Sequence, residues 1–144
     1  VQGERRVSAA EFFRGLYSTA MQPDELLVAC ELPICAAGER QHFDELARRH
    51  GDYAVAGIAA RARWDGQRLS HLCLAFLSLG DRPLRAQHAE SLLQAGPLDD
   101  ARIAAADAAL RAELDPFADL THSAAAKKQL AATLMRRAVK ALCR

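Results

Sequence analysis

The sequence predicts an α+β fold: an antiparallel sheet of three to four strands, followed by three helices packed on one face. Three observations support this. Asp65-Gly66 stands between two extended apolar stretches, as in a β-hairpin. After Gly80 the apolar residues recur at helical rather than alternating spacing. Strands first and helices afterwards is the order of α+β architectures. The chain has 144 residues, 51% hydrophobic and 26% charged, which suffices to bury a core without metals or disulfides.

Taken in order, "SAAEFFRGLY" reads as a short helix that Ser8 can cap, with Phe12, Phe13 and Leu16 on its apolar side. Pro23 and Asp24 make a turn. Leu26 to Leu32 read as a strand ended by Pro33. "CAAGER" is a loop. "QHFDELARR" has two readings: Phe43 and Leu46 suit a short helix, whereas Phe43, Glu45 and Ala47 share one face of a strand. Its neighbours favour the strand. Residues 54–64 and 67–79 then pair through a two-residue type I′ turn at Asp65-Gly66, where both residues need positive φ. In the second strand Leu72, Leu74 and Phe76 share one face, and Cys73, Ala75 and Leu77 the other. A strand apolar on both faces is expected to be covered on each side.

The first helix after Gly80 follows Pro83 and stops at Gly96-Pro97. Asp99 and Asp100 begin the second, with Ile103, Ala106, Leu110 and Leu114 at helical spacing before Pro116. Ser123 caps the third, whose stripe is Ala126, Leu130, Leu134, Ala138 and Ala141. Arg136, Arg137 and Lys140 lie late in it, where cations suit the helix dipole.

A net charge of +1 gives no electrostatic case for nucleic acid or membrane, and no apolar run approaches a membrane span. Cys30, Cys35, Cys73 and Cys143 form no CxxC pair and no zinc-ligand spacing, so no metal site is expected. They read as thiols of a reducing cytoplasm, with Cys30 and Cys35 around Pro33 a weak redox-pair pattern. The five histidines are scattered and form no nucleophile–base arrangement; no catalytic residue is assigned. The start, "VQGERRVSAAEFF", has no initiator Met, and the chain reads as a piece of a longer protein.

The stretch "RRHGDYA" stands apart. Gly51 permits positive φ, Asp52 can bond neighbouring backbone amides, and Tyr53 presents a flat amphipathic ring at the mouth of a strand. Arg48 and Arg49 suit either Asp52 or an anionic ligand. From these residues alone, a capped strand start with a core tyrosine is the favoured reading.

"ARRHGDYAVAGIAARARWDGQRL" resembles the Arg-rich, Asp-aromatic-Ala segment of the FAD-binding medium subunits of molybdenum hydroxylases, the carbon monoxide dehydrogenase and xanthine dehydrogenase flavoproteins. "RRVSAAEFFRGLYSTAMQPDELLVACELP", "RPLRAQHAESLLQAGPLDD" and "DLTHSAAAKKQLAATLMRRAVKAL" are similar to that family's segments in the same order. Ala126-Lys127 departs from a Tyr-Arg pair common in relatives, a change expected to touch packing or subunit contact.

The resemblance implies that residues 1–24 are the tail of an upstream FAD-binding domain and residues 25–144 the flavoprotein C-terminal domain. It implies FAD as cofactor, with its main binding segments outside this chain, so that the isolated chain is inactive. Gly51, Asp52, Tyr53 and Arg49 become candidate flavin contacts, Tyr53 shielding the ring while Asp52 and Arg49 hold the turn. The implied partners are a molybdenum-cofactor subunit and an iron–sulfur subunit, in a cytoplasmic complex that passes electrons through FAD to an acceptor. A module for subunit assembly with no cofactor of its own is the competing expectation.

Overall fold

The computed structural model describes residues 3–144. It contains two compact units, Val1–Ile34 and Cys35–Arg144.

In the first unit, α1 (Ala9–Phe12) is one turn long and runs directly into a hairpin of β1 (Phe13–Gly15) and β2 (Ser18–Thr19). The helix expected through Tyr17 therefore stops at Phe12. A single turn has little cooperative stability, Gly15 disfavours continuation, and Tyr17 takes a φ of 54° at the hairpin tip. Ser8 bonds Glu11 Oε2 at 2.8 Å rather than a backbone amide. The strand expected over Leu26–Leu32 does not form. Among the described residues it has no ladder partner, and Leu26, Leu27, Val28 and Leu32 are exposed. Arg5 pairs with Glu25, and Arg6 with Glu31.

The second unit holds a four-stranded antiparallel sheet in the order β3 (Glu39–Ala47), β4 (Ala54–Trp64), β5 (Leu69–Leu77), β6 (Leu84–Arg85). Three helices follow: α2 (Gln87–Gln94), α3 (Asp100–Glu113) and α4 (Ala124–Leu142). The register aligns Asp44 with Ile58, and Ile58 with Phe76.

The alternation of β4 decides which face is buried. Ala56, Ile58, Ala60 and Ala62 point into the core, and Ala59, Arg61 and Arg63 point away. Leu72, Leu74 and Phe76 of β5 join the buried side. Against them pack Leu93 of α2, Ala106 and Leu110 of α3, and Ala131, Leu134, Ala138, Val139 and Leu142 of α4. The alanines of β4 let a helix approach closely, while each buried Leu, Ile or Phe contributes about 1.5–3 kcal/mol.

Cover is one-sided. Cys73, Ala75 and Leu77 of β5 are half-buried, so the expectation of cover on both faces holds only for the helical side. Of the stripe expected on α4, Leu134 and Ala138 are fully buried, and Ala126, Leu130 and Ala141 half-buried; the buried line runs through Lys127, Ala131, Leu134, Ala138 and Leu142.

The hairpin turn also differs from expectation. Trp64 pairs with Leu69, leaving a four-residue loop in which only Gly66 has positive φ, at 98°. Asp65 Oδ1 accepts the backbone N–H of Gln67 at 2.8 Å and of Arg68 at 2.7 Å. Those two amides, Arg68 first, lower the Asp65 carboxyl below its ordinary value. The carboxylate organises the turn, so Asp65 has no need of positive φ.

Candidate functional site

The segment between β3 and β4 folds as a tight turn. Asp52 N donates to Arg49 O at 3.1 Å, and Gly51 adopts a φ of 81°. Asp52 Oδ1 accepts Tyr53 N at 3.0 Å, and Arg48 Nη2 donates to Asp52 Oδ2 at 3.4 Å. A Cβ on Gly51 would meet no heavy atom within 4 Å, so glycine is favoured there by its backbone angle and not by lack of space. The turn delivers the Tyr53 side chain outward, with the residue 95% exposed. A core tyrosine is thereby excluded within this chain. Arg48, not Arg49, supplies the ion pair; Arg49 contributes its carbonyl to the turn and is itself exposed.

Facing this turn is a second one, ahead of α4. Asp119 Oδ1 accepts Thr121 N, Thr121 Oγ1 and His122 N, each at 2.8 Å, and Asp119 N donates to His122 O at 3.0 Å. Ser123 caps α4 by accepting Ala126 N at 3.1 Å. One turn into the helix, Lys127 reaches back so that its Nζ lies 2.8 Å from Asp119 Oδ2. The Lys127 side chain is only 11% exposed. The Asp119 carboxyl is held well below the carboxylate range, first by Lys127 and then by the Thr121 and His122 bonds.

The two turns and Ser78, which has a φ of 63° just after β5, line one open cleft of about 280 Å³. Its polar side chains are Arg48, Asp52, Tyr53, Ser78, Asp119, Thr121, His122 and Lys127. It holds the ion pairs Arg48–Asp52 and Lys127–Asp119, and His122 Nδ1 lies 3.8 Å from Asp119 Oδ1, a third pair when the imidazole is protonated. The cleft lies at the lower end of the usual range for whole-ligand pockets, so it suits the edge of a flat group rather than an entire dinucleotide. The exposed Tyr53 ring beside it is an available stacking surface. A shallower groove of about 510 Å³ crosses the open sheet face past Phe43, Ala59, Arg61, Cys73, Ala75 and Arg85. It shares no residue with the cleft, and its arginines are already paired, Arg61 with Glu39 and Arg85 with Glu90.

Comparison with known proteins fixes the family. The profile described as "CO dehydrogenase flavoprotein C-terminal domain" matches residues 41–142. The chain belongs to this family. It is 35% identical over 138 residues to the 6-hydroxypseudooxynicotine dehydrogenase complex subunit alpha of Paenarthrobacter nicotinovorans, which covers 95% of this chain and 47% of the relative. It is 35% identical over 140 residues to the carbon monoxide dehydrogenase medium chain of Hydrogenophaga pseudoflava, covering 96% and 48%. The reconstituted CO dehydrogenase from Oligotropha carboxidovorans superimposes with a TM-score of 0.89 at 29% identity, over 96% of this chain and 49% of that one. The chain thus spans about half the length of the curated relatives it matches.

Within this flavoprotein C-terminal domain the cleft gathers residues that sequence reasoning left apart. Asp119, Thr121, His122 and Lys127 were legible only as the approach to a helix that Ser123 caps. The signal available was the Asp-x-Thr-His-Ser run, a side-chain-capped turn directly before a helix. Among the described residues no three of His, Cys, Asp and Glu gather to hold a metal ion, and no helix is long and apolar enough to cross a membrane. All four cysteines are free thiols.

Proposed function

We propose that this chain is the C-terminal part of the FAD-containing subunit of a molybdenum hydroxylase-type oxidoreductase, and that its 48–53 turn walls the isoalloxazine ring. The observation that supports this most is the Tyr53 ring, 95% exposed yet carried on a turn held by Asp52 N to Arg49 O and Tyr53 N to Asp52 Oδ1, beside an open cleft. An exposed aromatic on a hydrogen-bonded turn offers a face to a flat partner. Gly51, Asp52, Tyr53 and Arg49 remain the proposed cofactor-contact segment, with Arg48 added as the residue that fastens Asp52.

Bound FAD supplies the two-electron chemistry. The chain's own residues shield one side of the ring, orient it and exclude water from it. Residues 1–24 then close an upstream FAD-binding domain, and residues 25–144 form the domain proper. The partners are a molybdenum-cofactor subunit, where substrate is oxidised, and an iron–sulfur subunit that hands electrons to FAD. Four free thiols suit the reducing cytoplasm.

The test uses the complete subunit. Tyr53→Ala is expected to alter the flavin absorption spectrum and the rate of flavin reoxidation by the acceptor, with substrate oxidation at the molybdenum site unchanged. An unaltered spectrum and acceptor rate would refute the wall.

A further inference from the structure

Lys127 is the cleft's least solvated cation, and the turn it touches is complete without it. Asp119 Oδ1 already takes three local donors, and Asp119 Oδ2 alone is left for the ammonium. An ammonium carries three donors, and Asp119 occupies one. The other charges around it are accounted for. Arg48 is half-exposed and tied to Asp52, so solvent screens it. His122 Nδ1 is engaged with Thr121 Oγ1 at 2.8 Å. Lys127 and Arg48 balance Asp119 and Asp52, so removing either the poorly solvated Lys127 or its half-exposed partner Asp119 unbalances the cleft with a defined sign.

We propose that the Lys127–Asp119 pair sets the redox potential of the flavin walled by Tyr53, the Lys127 ammonium favouring the reduced ring and Asp119 moderating it. The proposal rests on the reading of Tyr53 as the flavin wall. Its physical basis is simple: two electrons taken up with one proton would leave the ring with one negative charge, and a poorly solvated cation lining the same cleft would stabilise that anion more than the neutral oxidised form. Lys127 is in this sense a tuning charge that acts by field, not a catalytic residue.

The experiment is an equilibrium redox titration against a reference dye, on the complete FAD-loaded subunit, for Lys127→Met, Lys127→Arg, Asp119→Asn and Tyr53→Ala. Flavin spectra and thermal unfolding are recorded on the same samples. Lys127→Met should weaken retention of reduced relative to oxidised flavin about tenfold, a fall of about 30 mV for a two-electron couple. Lys127→Arg should stay within about twofold of the parent. Asp119→Asn keeps the Oδ1 acceptor of the turn but frees the ammonium, so the potential should rise. Opposite shifts from the two partners are what a merely structural pair would not give. A potential unchanged in Lys127→Met, or shifts of the same sign in Lys127→Met and Asp119→Asn, would overturn the proposal. If Lys127→Met does not fold, absence of a rise in Asp119→Asn overturns it equally. Should Tyr53→Ala perturb the spectrum while Lys127→Met leaves the potential within twofold, the wall stands and the tuning charge falls. Should neither variant touch spectrum or potential, the wall itself falls, and this proposal with it.

Discussion

Glu90 holds Arg85 with both carboxylate oxygens, at 2.7 and 2.6 Å, and its Oε1 also accepts the Leu74 backbone N–H at 2.7 Å. Glu90 is on α2 and only 5% exposed; Arg85 is on β6 and Leu74 on β5. Next to it Gln94 Oε1 accepts Leu72 N at 3.0 Å. Where β6 is too short to pair the whole of β5, side chains of α2 complete the ladder. Glu90→Ala leaves a buried N–H and a half-buried guanidinium without their acceptor. The expected loss is about 2–4 kcal/mol in denaturant unfolding. Gln94→Ala, which removes two neutral bonds, the Leu72 N–H to Oε1 and the Nε2 to Glu90 O at 3.2 Å, should cost about 1–2 kcal/mol.

In the first unit, Glu25 accepts Arg5 Nη2 at 2.7 Å and Gln22 N at 2.6 Å. The Arg5 bond first, and the Gln22 amide second, lower its pKa from 4.5 to about 2. A carboxylate depressed on folding contributes stability that is fully present above its unfolded value. That contribution disappears as pH falls through the folded one. The stability it contributes should therefore be complete at pH 5 and decline between about pH 4.5 and 2, the ion pair itself opening only near pH 2. Carboxyl NMR titration would show a Glu25 midpoint near 2, and Arg5→Ala should move it up toward 4.5.

The hairpin loop tests the division of labour between Asp65 and Gly66. Gly66 holds a φ of 98° in open space, so Gly66→Ala meets no clash and reports backbone strain alone, about 1–2 kcal/mol. Asp65→Asn retains an oxygen acceptor for Gln67 N and Arg68 N and should lose less than Asp65→Ala, for which about 1–2 kcal/mol is expected. Denaturation midpoints of the three variants order these effects.

These elements show what a sequence discloses and what it does not. The hairpin was readable because Asp65-Gly66 breaks two long apolar strands, and that pattern survives in any context. Its turn type was not, because two amides bound by one carboxylate redefine the loop without changing a letter of the pattern. The helix over Ala9–Phe12 was readable as a start but not in length, since Phe13 and Gly15 answer to Thr19 and Ser18 across the hairpin. Leu26–Leu32 shows the reverse case: β-prone residues without a ladder partner among the described residues. The Tyr53 turn was legible because Gly, Asp and Tyr act within four residues of chain. Asp119 and Lys127 were not, because the fold alone carries them from the start of α4 to the mouth of β4.

The remaining prediction concerns the contrast between two aromatics on the same sheet. Phe76 lies at the centre of β5, paired with Ile58 and fully buried beneath the helices. Tyr53, at the start of β4, is 95% exposed. Phe76→Ala opens a cavity among close-packed side chains and should cost about 3–5 kcal/mol. Tyr53→Ala removes a ring that touches little of the core, and unfolding should change by no more than about 0.5 kcal/mol. Gly51→Ala separates the ring from its support: strain at a φ of 81° should cost about 1–2 kcal/mol and displace Tyr53 without deleting it. In the complete subunit, both Tyr53→Ala and Gly51→Ala should alter the flavin spectrum, whereas Phe76→Ala, if it folds, should leave it unaltered. A Tyr53→Ala variant as unstable as Phe76→Ala would mean that the ring is buried in the assembled protein and serves packing. Stability held with the flavin band shifted is the outcome that the proposed flavin wall predicts.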